Sequence, residues 1–188
     1  MKNPWKLWRS VYGFTWALAQ RSSYEHFCRY TREKTNCLIL DVGTGTGEYI
    51  KNLGKDNDYI FSDVDPKALN SARKKAAKYL PQERWNVKVG DADKVITISP
   101  KVDVISVIHV ISVVKNPREL ISRAMENLKP GGSLLIYISR FSARIKHMCN
   151  PLTRALGFRL MNVGDLLPDY RKEKAGWLNC CYIVKKNS

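Results

Sequence analysis

A chain of 188 residues, 44% hydrophobic and 26% charged, is long enough to bury one core and too short to build two independent ones, so a single domain with appendages is expected. No stretch of about 18 uncharged apolar residues occurs, which excludes an obvious membrane-spanning helix and leads us to expect a soluble fold. The net charge of +15 is uneven: residues 1–35 hold seven basic and two acidic side chains, residues 36–128 fourteen and twelve, and residues 129–188 eleven and three. A nearly balanced middle between basic flanks suggests a ligand-binding centre whose surroundings favour an anionic second substrate or surface; an ordinary lysine-rich soluble surface is the alternative. Five cysteines, Cys28, Cys37, Cys149, Cys180 and Cys181, are odd in number and lack zinc-motif spacing, so reduced thiols, no metal and a cytoplasmic location are expected.

The first twenty residues, MKNPWKLWRSVYGFTWALAQ, combine a basic start with an apolar middle and Ala17-Leu18-Ala19, as signal peptides do. Tyr12, Gly13, Thr15 and Trp16 interrupt that middle, and we expect the segment to be retained, with a cleaved targeting segment as the alternative. Read as a helix over about 5–20, it aligns Trp5, Trp8, Tyr12 and Trp16 in one aromatic stripe, beside Lys2, Lys6, Arg9 and Arg21. Such a stripe suits core packing, a wall for an apolar acceptor, or peripheral contact with an anionic membrane. A second helix is predicted over 23–34.

From there, apolar strands alternate with helical patterns, which argues for a parallel sheet with crossover helices. Strands are predicted at 36–41, 58–62, 86–89, 102–107 and 133–139. Pro66 to Tyr79 is strongly helical, with proline in the first turn and Ala68, Leu69, Ala72 and Ala76 on one face. A helix from Pro117 to Leu128 should stop at Lys129-Pro130-Gly131-Gly132. The tail suggests a helix over 143–156 and two strands, FRLMNV and WLNCCYIV, joined by a polar stretch.

The segment LILDVGTGTGEY raises the question of ligand. A dinucleotide fold wants G-x-G-x-x-G, and here Glu48 stands where close helix-strand packing needs the third glycine. Asp41 and Glu48 would repel a pyrophosphate and suit a ligand with a positive amino or sulfonium group.

LDVGTGTGEY resembles the first motif of class I S-adenosylmethionine-dependent methyltransferases, and four later stretches are similar to that family's other marks. They are YIFSDVDPKAL after the second strand, VGDAD after the third, KVDVISVIHV as the fourth, and LKPGGSLLIYIS as the turn and fifth strand. The resemblance covers about 36–139. It implies a three-layer α-β-α Rossmann-like fold with a seven-stranded, mostly parallel sheet, an antiparallel last strand and an N-terminal helical lid. The organisation implied is a helical segment at 1–35 on the acceptor side and a methyltransferase domain at 36–188. The implied cofactor is S-adenosyl-L-methionine, leaving S-adenosyl-L-homocysteine as product. Its implied contacts are Asp41, Gly43, Thr44, Gly45, Gly47, Asp63 toward the ribose hydroxyls, Val64 against the adenine, Asp91 and Ala92 near its amino group, and Val107.

Methyl transfer is a direct displacement, so much of a methyltransferase's work is positioning and desolvation, and a base matters only when the acceptor arrives protonated. His109, just past the fourth strand, is the candidate base because imidazole titrates near neutrality; a histidine satisfied by a backbone partner is the alternative. The Asn/Asp/Ser-Pro-Pro-Tyr/Phe motif of adenine and glutamine methyltransferases is missing at Ser106-Val107-Ile108-His109, and so is a Pro-Cys pair of the cytosine type. Arg140 and Arg144 would share a helix face able to hold an acceptor phosphate or carboxylate, while Tyr12 and Trp16 would shape the acceptor pocket. The expected acceptor is a small-molecule or lipid-like anion methylated on oxygen or nitrogen. RNA-directed methylation and a non-catalytic cofactor-binding subunit are the alternatives.

Overall fold

The computed structural model describes residues 20–139, 166–167, 169–176 and 179–187. The predicted helices over 5–20 and 143–156, the strand FRLMNV and the Trp5–Trp16 stripe lie almost wholly outside them. The first described helix, α1, covers residues 20–32. It is followed by β1 (Leu38–Val42), β2 (Asp58–Asp63), α2 (Pro66–Tyr79), β3 (Trp85–Val89), α3 (Ala92–Ile98), β4 (Val102–Ile108), α4 (Pro117–Asn127), β5 (Leu128–Ser139), β6 (Arg171–Lys174) and β7 (Asn179–Lys185).

The strands form one seven-stranded sheet in the order β3-β2-β1-β4-β5-β7-β6. β1 to β5 pair in parallel, and β7 runs antiparallel to both β5 and β6. Side chains alternate across the sheet and feed two apolar layers. On one face Phe27 and Cys28 of α1 and Leu69, Ala72 and Ala76 of α2 pack on Ile39, Phe61 and Tyr137. On the other, Val95 and Ile96 of α3 and Leu120, Ile121 and Ala124 of α4 pack on Leu40, Val107 and Leu134. This is the three-layer, mostly parallel architecture that the sequence implied.

Local chemistry explains the ends of the helices. Asp65 caps α2 by accepting from Lys67 N, with Pro66 at the first position, where a missing N–H costs nothing. Asn116 caps α4 in the same way through Glu119 N, again followed by proline.

Three details depart from expectation. Between β1 and β2 stands only a 3-10 turn, Ile50–Asn52, where a crossover helix was expected. β5 begins at Leu128, before the Pro-Gly-Gly turn, because Val102 pairs Leu128 while Val104 pairs Ser133, so the extra residues bulge out of the ladder. β6 occupies Arg171–Lys174, within the stretch read as a polar connection. Its charged side chains suit an edge strand, where one backbone edge faces water and exposed charge discourages further pairing. Among the described residues no helix is long and apolar enough to cross a membrane.

Candidate cofactor site

The order β3-β2-β1-β4-β5 reverses chain direction across the sheet between β1 and β4, and in open α/β sheets ligands bind at such a switch point, outside the strands' carboxyl ends. Among the described residues, the glycine loop follows β1, Asp63 ends β2, Asp91 and Ala92 follow β3 and His109 follows β4, so the topology brings these predicted residues to that edge.

β1 delivers the glycine loop. Gly43, Gly45 and Gly47 all take positive φ, at 77°, 59° and 67°. A Cβ at Gly43 would overlap Val110 Cγ2, whereas one at Gly45 would meet nothing within 4 Å. Gly43 therefore serves packing, and Gly45 presents open backbone. The loop is tied to β2 by N–H donation from Gly43 and Thr44 to Ser62 O, each at 2.8 Å.

Asp41 lies beneath the loop and is 1% exposed. In the ladder it stands opposite Ser106 of β4, whose hydroxyl donates to it at 2.5 Å. Thr44 donates to its other oxygen at 2.6 Å, and the Tyr49 hydroxyl donates there too. Burial pushes this carboxyl above the usual range, while the three hydroxyl bonds favour its charged form. Asp41 thus organises the loop from below, with its donors supplied by the protein. Glu48, the second acid of the loop, accepts from Lys75 Nζ at 2.6 Å, which holds its carboxyl below the usual range. The charge of Glu48, expected to suit a cationic ligand, is met in the structure by Lys75 of α2.

At the end of β2, Asp63 accepts from Gly45 N at 2.8 Å through one oxygen and from Asp65 N at 2.9 Å through the other. Each oxygen retains a lone pair for a further donor. Its neighbour Val64 is 70% exposed, an apolar surface left uncovered at the crevice. After β3, Asp91 caps α3 by accepting from Asp93 N, and Ala92 begins that helix half-buried. The side chain of Val107 is fully buried in the α3 and α4 layer, which leaves its backbone as the part of the residue at the end of β4.

His109 adopts φ 59°, a left-handed conformation uncommon outside glycine but more accessible to histidine than to most residues, and is 9% exposed. Its Nε2 lies 3.1 Å from Ser23 Oγ of α1, and its backbone N–H donates to Tyr137 O. Burial lowers its basicity to about 4, so the ring is neutral at pH 7. Tyr24, the residue after Ser23, stacks on Tyr49 with ring centroids 4.6 Å apart. The start of α1 therefore spans the crevice rim, touching the β4 side through Ser23 and the β1 side through Tyr24.

Ser23, Tyr24, Tyr49 and Ser106 were not singled out from the sequence. Tyr49 closes the quoted glycine motif and Ser106 faces Asp41 only by strand register, so the first had a local signal and the second had none. Tyr12, Trp16, Arg140 and Arg144 lie outside the described residues.

The donor set suits the implied cofactor: an open glycine backbone, a carboxylate with spare acceptor capacity, and an uncovered valine follow one another along the crevice. A family model described as a methyltransferase domain matches residues 40–134, half of the chain. A ribosomal protein L11 methyltransferase from Limosilactobacillus reuteri subsp. reuteri (strain JCM 1112) is 39% identical over 110 residues, 55% of this chain and 33% of the relative. The chain thus spans a third of the length of that curated relative. An O-methyltransferase family protein from Burkholderia thailandensis shares the fold with a TM-score of 0.68 at 17% identity, covering 84% of this chain and 53% of that one. The N-methyltransferase NodS from Bradyrhizobium japonicum WM9, in complex with S-adenosyl-L-homocysteine, does so with a TM-score of 0.66 at 16% identity, covering 89% and 87%.

Proposed function

We propose, since this chain belongs to the methyltransferase domain family of S-adenosylmethionine-dependent enzymes, that it methylates an oxygen or nitrogen of a small or lipid-like anionic acceptor. The observation that carries the cofactor half of this reading is the succession of Gly45, Asp63 and Val64 at the ends of β1 and β2. The acceptor half rests on charge, since the segments before and after the balanced middle hold nearly all of the chain's +15.

When bound, S-adenosylmethionine supplies a methyl group activated by a positively charged sulfur. The chain's own residues bind and orient. Gly45 lets the backbone approach the methionine end, where a side chain would intervene. Asp63 would accept ribose hydroxyls on its free lone pairs, Val64 would cover one face of the adenine, and Asp91 with Ala92 would border its amino edge. Asp41, held by three hydroxyls, keeps Thr44 and Tyr49 in place and so keeps the loop in its bound shape. His109 can take a proton from the acceptor as a neutral base. With a basicity near 4 it is a weak one, which fits an acceptor that needs little deprotonation.

RNA-directed methylation is the second reading, favoured by a net charge able to attract phosphates without regard to sequence. Calorimetry with S-adenosylmethionine and S-adenosylhomocysteine tests the cofactor. Micromolar binding is expected, and none at millimolar ligand would overturn the reading. Incubation of cell extracts with methyl-labelled cofactor tests the acceptor. Label in the lipid or small-molecule fraction supports the leading version, and label confined to RNA or protein overturns it.

A further inference from the structure

We propose that the outward face of α2 is a docking surface for the phosphate backbone of RNA. α2 carries Lys67, Arg73, Lys74, Lys75 and Lys78 and no acidic residue. Leu69, Ala72 and Ala76 turn inward to the core. At about 100° per residue, Lys67, Lys74 and Lys78 fall within a sector of about 40° on the opposite side, with Asn70 beside them. All four are exposed. At about 1.5 Å per residue the lane from Lys67 to Lys78 is about 16 Å long.

Local packing accounts for part of this lane only, since Lys78 lies in the last turn of α2 with its ammonium 5.2 Å from the Tyr79 ring centroid. Elsewhere the same chain neutralises its helix surfaces at i,i+4: Arg21 pairs Glu25 at 2.8 Å on α1, and Arg123 pairs Glu119 at 2.5 Å on α4. On α2, among the described residues, only Lys75 has a carboxylate, Glu48 at 2.6 Å. Among the described residues no carboxylate pairs with Lys67, Arg73, Lys74 or Lys78. Lys74 and Lys78 even stand i,i+4 to each other, a like-charge arrangement that disfavours the helix unless a polyanion lies across it.

The choice of RNA follows from shape. An anionic membrane calls for apolar side chains that enter the lipid boundary, and no large exposed hydrophobic belongs to α2. The major groove of B-form DNA takes a helix that stands clear of its domain, whereas α2 is sunk into the sheet by its apolar face. A shallow lane of cations suits single strands or the wide, shallow groove of A-form RNA. The amino end of α2 lies three residues after Asp63, so a strand on the lane would lead to the crevice. This surface lies outside the transfer site and does not depend on which acceptor is methylated.

The test is fluorescence anisotropy of the full chain with a mixed-sequence single-stranded RNA at 50 and 200 mM salt, without cofactor. Each phosphate contact contributes about 0.7 to the slope of log affinity against log salt, so Lys74→Ala/Lys78→Ala should lower the slope by about 1.4. The variant's loss of affinity across that fourfold salt change would then be about sevenfold smaller than the wild type's. Arg29→Ala/Lys34→Ala, on α1 and just after its end, is the comparison and should leave the slope nearly unchanged. Alanine favours helix, and circular dichroism should show both variants folded. An unchanged slope in the α2 variant, or tighter binding to duplex DNA or to phosphatidylserine vesicles than to RNA, would overturn the proposal.

Discussion

The carboxylate of Asp63 accepts the backbone N–H of Gly45 at 2.8 Å, tying the end of β2 to the open glycine of the β1 loop. The same oxygens are those proposed to accept the ribose hydroxyls, so one side chain would both shape the cradle and face the ligand. Asp63→Ala should weaken S-adenosylmethionine binding by about 2–3 kcal/mol, the scale of lost hydrogen bonds to a charged group. Calorimetry on the folded variant checks this, and an unchanged affinity would remove Asp63 from the site.

Gly43 and Gly45 should respond differently to alanine. Both have positive φ, which costs an L side chain about 1–2 kcal/mol, but only Gly43 faces a neighbour, Val110. Gly43→Ala should therefore lower the thermal midpoint more than Gly45→Ala. Gly45→Ala should instead lower cofactor affinity, because its new methyl group enters the open space. Melting curves and titrations of the two variants read these effects separately.

Tyr49→Phe keeps the ring that stacks on Tyr24 and removes one of three hydroxyl donors to the buried Asp41. A destabilisation of about 1.5–3 kcal/mol is expected from losing a hydrogen bond to a charged group. Denaturant unfolding at neutral pH measures it.

His109 makes folding pH-dependent in a defined window. Its folded value of about 4 lies below the ordinary 6.5, so between these values the unfolded chain binds a proton that the folded chain does not. Its stabilising contribution is therefore complete above pH 6.5 and is lost as pH falls toward 4, by about 3 kcal/mol in all. His109→Asn tolerates the left-handed backbone, and its carboxamide can still hydrogen-bond. The variant should show a shallower loss of stability between pH 6.5 and 4. If His109 also acts as a base, the acid limb of the rate profile should lie near 4, and a limb near 6.5 would contradict the buried, neutral ring.

Much of the sheet was legible because parallel strands buried on both faces read as short apolar runs. α2 was legible to the residue, since its proline, its cap and its alanine face agree. The 3-10 turn in place of a helix after the glycine loop was not. Its residues, Ile50–Asn52, form too short a window for any period to emerge. β6 was missed because the polar sequence RKEK has no apolar alternation, and only pairing with β7 makes it a strand.

At the site, the glycines could be read locally, since backbone freedom is a property of the residue itself, whereas Asp63 and Val64 were marked by the resemblance to the methyltransferase family. That Asp41 is enclosed by Ser106, Thr44 and Tyr49, that Glu48 is held by Lys75, and that His109 is buried against Ser23 required the tertiary structure. These are contacts between residues as far as 86 positions apart. They depend on strand register and helix docking, which no single segment contains. The sequence by itself determined the kind of cofactor cradle. Only the packed sheet decided which acids remain available to a ligand and which are consumed in holding the cradle together.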